Sequence, residues 1–139
     1  SGIKFLAIVC SDASTDFEYF KNMGINMALD DFGTEYSSIA LLRKLKPQWI
    51  KIDHTFVRSI QDDEMDQAIL EYIMNLSKQT RIKVCVEGVE NKEILSVVQT
   101  YKPELLQGYY YSRPCPAEEF SKKYFNGKDK TGSYGCLKK

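Results

Sequence analysis

Four short apolar runs, each stopping at a polar group, divide this chain at intervals that decide its fold class. They are Ala28-Leu29-Asp30-Asp31-Phe32-Gly33, Trp49-Ile50-Lys51-Ile52-Asp53, Val84-Cys85-Val86-Glu87-Gly88-Val89-Glu90 and Leu105-Leu106-Gln107-Gly108-Tyr109. From Asp30 to Lys51, Glu87 and Gln107 the successive steps are 21, 36 and 20 residues. Hairpins join strands through a few residues, whereas parallel strands need a crossover of about a dozen or more, usually a helix. Continuous apolar runs also suit strands buried on both faces, as in parallel sheets. The pattern therefore predicts an α/β protein whose polar groups gather at the C-terminal ends of its strands, where such folds carry their chemistry.

The connecting segments agree. A first strand is expected over Ile3 to Val9, a helix over Asp16 to Met23 stopped by Gly24, and a second strand over Ile25 to Leu29. Ser37 to Leu45 reads as a helix ended by Pro47, and Trp49 to Ile52 as the third strand. Glu64 to Gln79 is the clearest helix: Met65, Ala68, Ile69, Tyr72, Ile73 and Leu76 recur at helical spacing and predict one apolar face. Strands over Arg81 to Val86 and Glu104 to Gln107 flank a helix from Lys92 to Thr100. A last helix spans Pro116 to Phe125, with Pro near its first turn. Five βα units fit either an open doubly wound sheet or part of a (β/α)8 barrel. A whole barrel takes about 250 residues, more than this chain has. Residues 1–125 are expected to form one domain and 126–139 a Gly/Lys-rich tail.

Composition narrows the function classes. Nineteen basic and nineteen acidic residues are interspersed, so no basic stripe predicts duplex nucleic-acid binding. No apolar run is long enough to span a membrane. Cys10, Cys85, Cys115 and Cys136 show no CxxC spacing and read as free thiols of a reducing cytoplasm. His54 is the only histidine, which argues against His-rich zinc sites and Ser-His-Asp catalysis. Asp31-Phe32-Gly33 matches the magnesium-binding triplet of protein kinases, but no Gly-rich phosphate loop, strand lysine motif or His-Arg-Asp loop precedes it.

Four motifs in register carry a resemblance: Ala28-Leu29-Asp30-Asp31-Phe32-Gly33-Thr34-Glu35-Tyr36-Ser37-Ser38, Lys51-Ile52-Asp53, Val86-Glu87-Gly88-Val89-Glu90, and Gln107-Gly108-Tyr109-Tyr110-Tyr111-Ser112-Arg113-Pro114. Together they resemble the EAL family of cyclic-di-GMP phosphodiesterases, over about Gly24 to Phe120. The resemblance implies a partial (β/α)8 TIM-type barrel of about five parallel βα units, matching the family's C-terminal half to two-thirds. The Glu-Ala-Leu motif itself is absent. Where the family has a metal-binding Glu after the preceding strand, this sequence reads Val9-Cys10-Ser11-Asp12, and Glu35 stands where Gly is common.

The family chemistry hydrolyses a phosphodiester with two Mg²⁺ or Mn²⁺ ions, which need oxygen ligands. By resemblance, Asp30 binds both metals, and Asp31 and Glu87 bind the second. Lys51 orients the attacking water or stabilises developing negative charge. Gln107 positions a water or the substrate, and Glu90 supports the loop after Asp31. Tyr109, Arg113 and Pro114 are candidate contacts for cyclic-di-GMP, through stacking on guanine or reaching phosphate. The bland readings are an N-cap for Asp-Asp, a turn for Glu87-Gly88, a plain ion pair for Lys51 with Asp53, and packing for the tyrosines. A partial barrel exposes sheet edges, which predicts homo-oligomers through those edges or the loop after Asp31. The implied function is hydrolysis of cyclic-di-GMP to pGpG, weak or absent in this chain alone. The alternative is a degenerate cyclic-di-GMP receptor or protein-interaction module.

Overall fold

A computed structural model describes residues 6–9, 14–33 and 39–125 of the chain. Five strands alternate with helices: β1 (Leu6–Val9), α1 (Ser14–Asn22), β2 (Asn26–Phe32), α2 (Ile39–Leu45), β3 (Trp49–Ile52), α3 (Glu64–Thr80), β4 (Lys83–Val86), α4 (Lys92–Val98), β5 (Leu105–Leu106) and α5 (Ala117–Tyr124). Single 3-10 turns follow β3 (His54–Phe56) and α4 (Gln99–Tyr101). All strand pairs are parallel, and the sheet order is β1-β2-β3-β4-β5. Doubly wound sheets reverse their strand order at a switch point. This sheet never does, so the winding is that of a barrel wall.

The pleat separates two kinds of surface. Met27, Leu29, Ile50, Ile52, Val84 and Val86 point to the helical side and join the main core with residues of α2, α3 and α4. Burying each of these strand residues contributes about 1.5–3 kcal/mol. The alternate positions Ala28, Trp49 and Cys85 form a second, smaller cluster with Leu105. One pleat further along this second face come Asp30, Lys51 and Glu87. Two-residue alternation thus sends the apolar side chains into the core and brings these three polar ones to one side at the carboxyl ends.

Helix α3 keeps half of the expected apolar face: Ile73 is in the core and Ile69 and Leu76 pack against it, while Ala68 is exposed. Its buried residues are Leu70, Ile73, Met74 and Ser77, while Met65 and Tyr72 are exposed. The helix carries apolar residues on more than one stripe, and packing against the sheet, not periodicity, selected among them. Its start is well specified: Asp63 accepts bonds from the amides of Met65 (2.8 Å) and Asp66 (3.2 Å), a cap of the kind that contributes ~1 kcal/mol. The helix expected through Thr100 ends at Val98 and tightens into the second 3-10 turn. The strand expected to stop at Leu29 continues to Phe32. Residues 1–5, 10–13, 34–38 and 126–139 lie outside the described set, and with them the start of the first expected strand, Asp12, Glu35 and the tail.

Candidate metal centre

Consecutive strand residues normally face opposite ways, so adjacent aspartates should not share a site. Here β2 breaks the rule. Ala28 and Leu29 pair with Trp49 and Ile50, but Phe32 pairs with Ile52, so β2 uses one residue more than β3 over the same stretch. The extra residue is a β-bulge at Asp30-Asp31, and Asp31 adopts a left-handed backbone with φ 49°. Carboxylate oxygens of Asp30, Asp31 and Glu87 consequently lie within 4.8 Å of one another.

Lys51 occupies the adjacent strand and ties the cluster together. Its Nζ lies 2.9 Å from Asp30 Oδ1 and 2.6 Å from Glu87 Oε1, and all three side chains are largely buried. The alternative pairing of Lys51 with Asp53 does not occur among these contacts. Burial by itself disfavours the ammonium charge, but the Glu87 and Asp30 carboxylates outweigh it and raise the Lys51 pKa above the ordinary lysine value. Beside these two carboxylates Lys51 is a cation at neutral pH, and it offsets their negative charge. Cys85 is its register partner on β4, where burial first and the Glu87 charge second push the thiol up to about 11, so it stays protonated.

Asp53 has a different task. Its buried carboxylate accepts bonds from the Thr55 amide (2.9 Å) and hydroxyl (2.5 Å), and its other oxygen lies 3.1 Å from His54 Nδ1. These bonds cap the 3-10 turn. Burial opposes ionisation, but the Thr55 bonds and His54 outweigh it and hold the carboxyl below the ordinary aspartate value of 3.8. A carboxyl depressed in the folded state stabilises the fold above its unfolded value, and that contribution disappears as pH falls through the folded one. Urea midpoints measured from about pH 5 to about pH 2 should fall less steeply in Asp53→Asn than in wild type. Parallel slopes would mean that the folded state does not hold the Asp53 carboxyl below its unfolded value.

The remaining candidates are less convergent. Gln107 continues the β4–β5 pairing through its backbone, donating to Val86 O at 2.8 Å and accepting from Val89 N at 3.1 Å, with its side chain exposed. Glu90 is exposed and makes no ion pair among the described residues. The Arg113 guanidinium stacks over Tyr109 at 4.8 Å, and Tyr110 meets Tyr111 edge-on at 5.4 Å. All three tyrosines are exposed rather than packed in the core, and Pro114 is exposed beside them. A concavity of about 730 Å³ opens elsewhere, between α2 and α3, with Ile39, Leu42, Trp49 and Tyr72 in its wall, at the N-terminal strand ends. Sequence reasoning missed the 3-10 turn after Asp53. Its signal was Asp53 two residues before Thr55, an Asx-type cap spacing.

Three clustered carboxylates are the donor set that a hard divalent cation takes. Asp30 Oδ1 is buried and receives no well-aligned hydrogen bond, even with Lys51 so near, so it keeps lone pairs to offer. The residues present fit such an ion.

Sequentially wound βα units with an acidic cluster at the carboxyl ends of β2 and β4 define a barrel-type α/β domain with a candidate metal centre. The chain belongs to the EAL-domain family, whose pattern matches residues 8–114. It is 37% identical over 110 residues to the cyclic di-GMP phosphodiesterase NbdA of Pseudomonas aeruginosa, covering 77% of this chain and 14% of that protein. Among solved structures it resembles the PaMucR phosphodiesterase in its c-di-GMP complex (TM-score 0.71, 32% identity, 83% of this chain and 49% of that one). It likewise resembles Klebsiella pneumoniae BlrP1 in a manganese/cy-diGMP complex (TM-score 0.69, 35% identity, 73% of this chain and 26% of that one). The chain thus spans half or less of each of these proteins. No helix among the described residues is long and apolar enough to cross a membrane.

Proposed function

We propose that this chain carries the carboxylate and lysine part of a metal-dependent phosphodiesterase site for cyclic-di-GMP. The observation that supports it best is the bulged Asp30-Asp31 pair facing Glu87 around the cation of Lys51. In this reading Asp30, Asp31 and Glu87 hold Mg²⁺ or Mn²⁺, which supplies charge neutralisation at the phosphodiester and activation of water when bound. Lys51 orients that water and offsets charge on the phosphoryl oxygens. Gln107 positions a water or the substrate, Glu90 supports the loop after Asp31, and Tyr109, Arg113 and Pro114 border the nucleotide. Hydrolysis adds one water across one phosphodiester of the ring, releases the 3′-oxygen with its proton, and leaves linear pGpG. Association of copies through the sheet edges or the loop after Asp31 belongs to the same reading.

A second reading, a cyclic-di-GMP receptor, is favoured by Val9-Cys10-Ser11-Asp12, where the family's metal-binding Glu is missing. Calorimetric titration of the chain with cyclic-di-GMP in Mn²⁺ should show binding that chelation of the metal weakens. Chromatography of the same mixture then divides the readings: pGpG supports the enzyme, and unchanged nucleotide supports the receptor. Absence of any binding overturns both.

A further inference from the structure

The 3-10 turn that Asp53 caps touches both strands bearing the acidic cluster. A Cβ added at Gly33, two residues after Asp31, would lie 2.5 Å from Phe56 Cε2 and 2.8 Å from Phe56 Cζ. A Cβ added at Gly88, next to Glu87, would lie 2.5 Å from His54 Cβ and 2.9 Å from His54 Cα. Both glycines have positive φ, 103° and 77°, so each is a turn through which a carboxylate-bearing strand leaves the sheet. One three-residue turn is thus wedged against two glycine exits, with Phe56 half-buried on the first and the His54 backbone on the second.

Asp31 needs such support. Its left-handed backbone is uncommon for a residue with a Cβ, although Asp adopts it more readily than most, so packing around it decides how firmly it is held. Phe32, the next residue, is buried, and Phe56 closes on Gly33 after it. We propose that the Asp53–Phe56 turn is a positioning element for the cation site: Phe56 against Gly33 holds the bulge that presents Asp31, and His54 against Gly88 holds the exit that presents Glu87. The proposal rests on the cation-binding reading of the cluster. Phe56 acts through the backbone at Gly33 and touches neither ion nor substrate. The mechanism also explains why two separate motifs place glycine one and two residues behind their carboxylates, at Gly88 and Gly33: a side chain at either would strike the turn.

The test uses the full chain and Mn²⁺ alone. Phe56→Ala should weaken Mn²⁺ binding by about 10-fold or more, the range seen when residues that orient metal ligands are removed. Phe56→Leu, which refills most of the space, should recover most of that loss. Val98→Ala, a core truncation in α4, should lower the urea midpoint and leave Mn²⁺ affinity unchanged, which separates positioning from general destabilisation. In metal-free protein, the backbone amide resonances of Asp31 and Glu87 should shift in Phe56→Ala and not in Val98→Ala. If Phe56→Ala does not fold, Phe56→Leu against Val98→Ala carries the same comparison at smaller amplitude. Wild-type affinity with unmoved resonances in a folded Phe56 variant would overturn the positioning role alone. No Mn²⁺ binding by wild type would overturn the cation reading, and the positioning role with it.

Discussion

Asp30→Asn is expected to lower Mn²⁺ affinity at least ~100-fold, yet leave the metal-free chain as stable as wild type or more so. The first half follows from charge and access. Asp30 supplies a buried oxygen with no well-aligned hydrogen bond, and the amide that replaces it is a weaker, uncharged donor. A direct ligand should cost no less than the ~100-fold upper range for residues that only support ligands. The second half follows from crowding. Three carboxylates share the site with one cation, and removing one negative charge relieves repulsion among the others. Breaking a buried ion pair is costly when it strands the partner charge, but Lys51 keeps Glu87 at 2.6 Å. Titration calorimetry with Mn²⁺, paired with urea unfolding under chelator, measures both. Unchanged affinity would remove Asp30 from the metal site, and any pGpG still produced by the variant would sink the two-metal chemistry.

Gly108→Ala carries the largest expected effect on stability, about 3 kcal/mol, because the added methyl meets backbone rather than a side chain that can swing away. A Cβ at Gly108 would collide with the Val89 carbonyl oxygen and amide nitrogen. Those same Val89 groups bond to the segment after β5: the nitrogen donates to Gln107 O at 3.1 Å, and the oxygen accepts from Tyr110 N at 3.0 Å. Relief of the clash therefore moves the segment after β5 away from that after β4 and breaks these bonds. The urea midpoint should fall sharply, and amide protons of Val89 and Tyr110 should exchange faster than those of β2 and β3. A loss below about 1 kcal/mol would mean that the two segments slide apart at little cost, contrary to the overpacking penalty.

The legibility of the fold varied with the range of the interactions behind each feature. Strand β3 begins and ends where its apolar run does, at Trp49 and Ile52, since β-branched character and burial act along the chain. Helix α3 starts where Asp63 caps it, a local signal again. Its buried stripe was legible only in part: Ile73 is shared with the expected face, but Leu70 and Met74 are buried where Met65 and Tyr72 were expected, and only contact with the sheet separates these residues. The site divides in the same way. Asp30, Asp31, Lys51 and Glu87 were recognisable as polar groups at strand ends, while the only partner residue weighed for Lys51 was Asp53. Adjacent strands, not adjacent residues, supplied its partners.

By itself the sequence determined the parallel α/β class, the spacing of its crossovers, and the arrival of carboxylates and a lysine at the carboxyl ends of neighbouring strands. Periodicity and length are properties of one chain direction, so they can be read from residues in order. Tertiary structure alone decided the bulge at Asp30-Asp31, the double ion pair of Lys51, and the wedge of the Asp53–Phe56 turn between Gly33 and Gly88. Each depends on how many residues one strand spends against its neighbour. That count is set by pairing across the sheet, between segments some twenty or more residues apart in sequence.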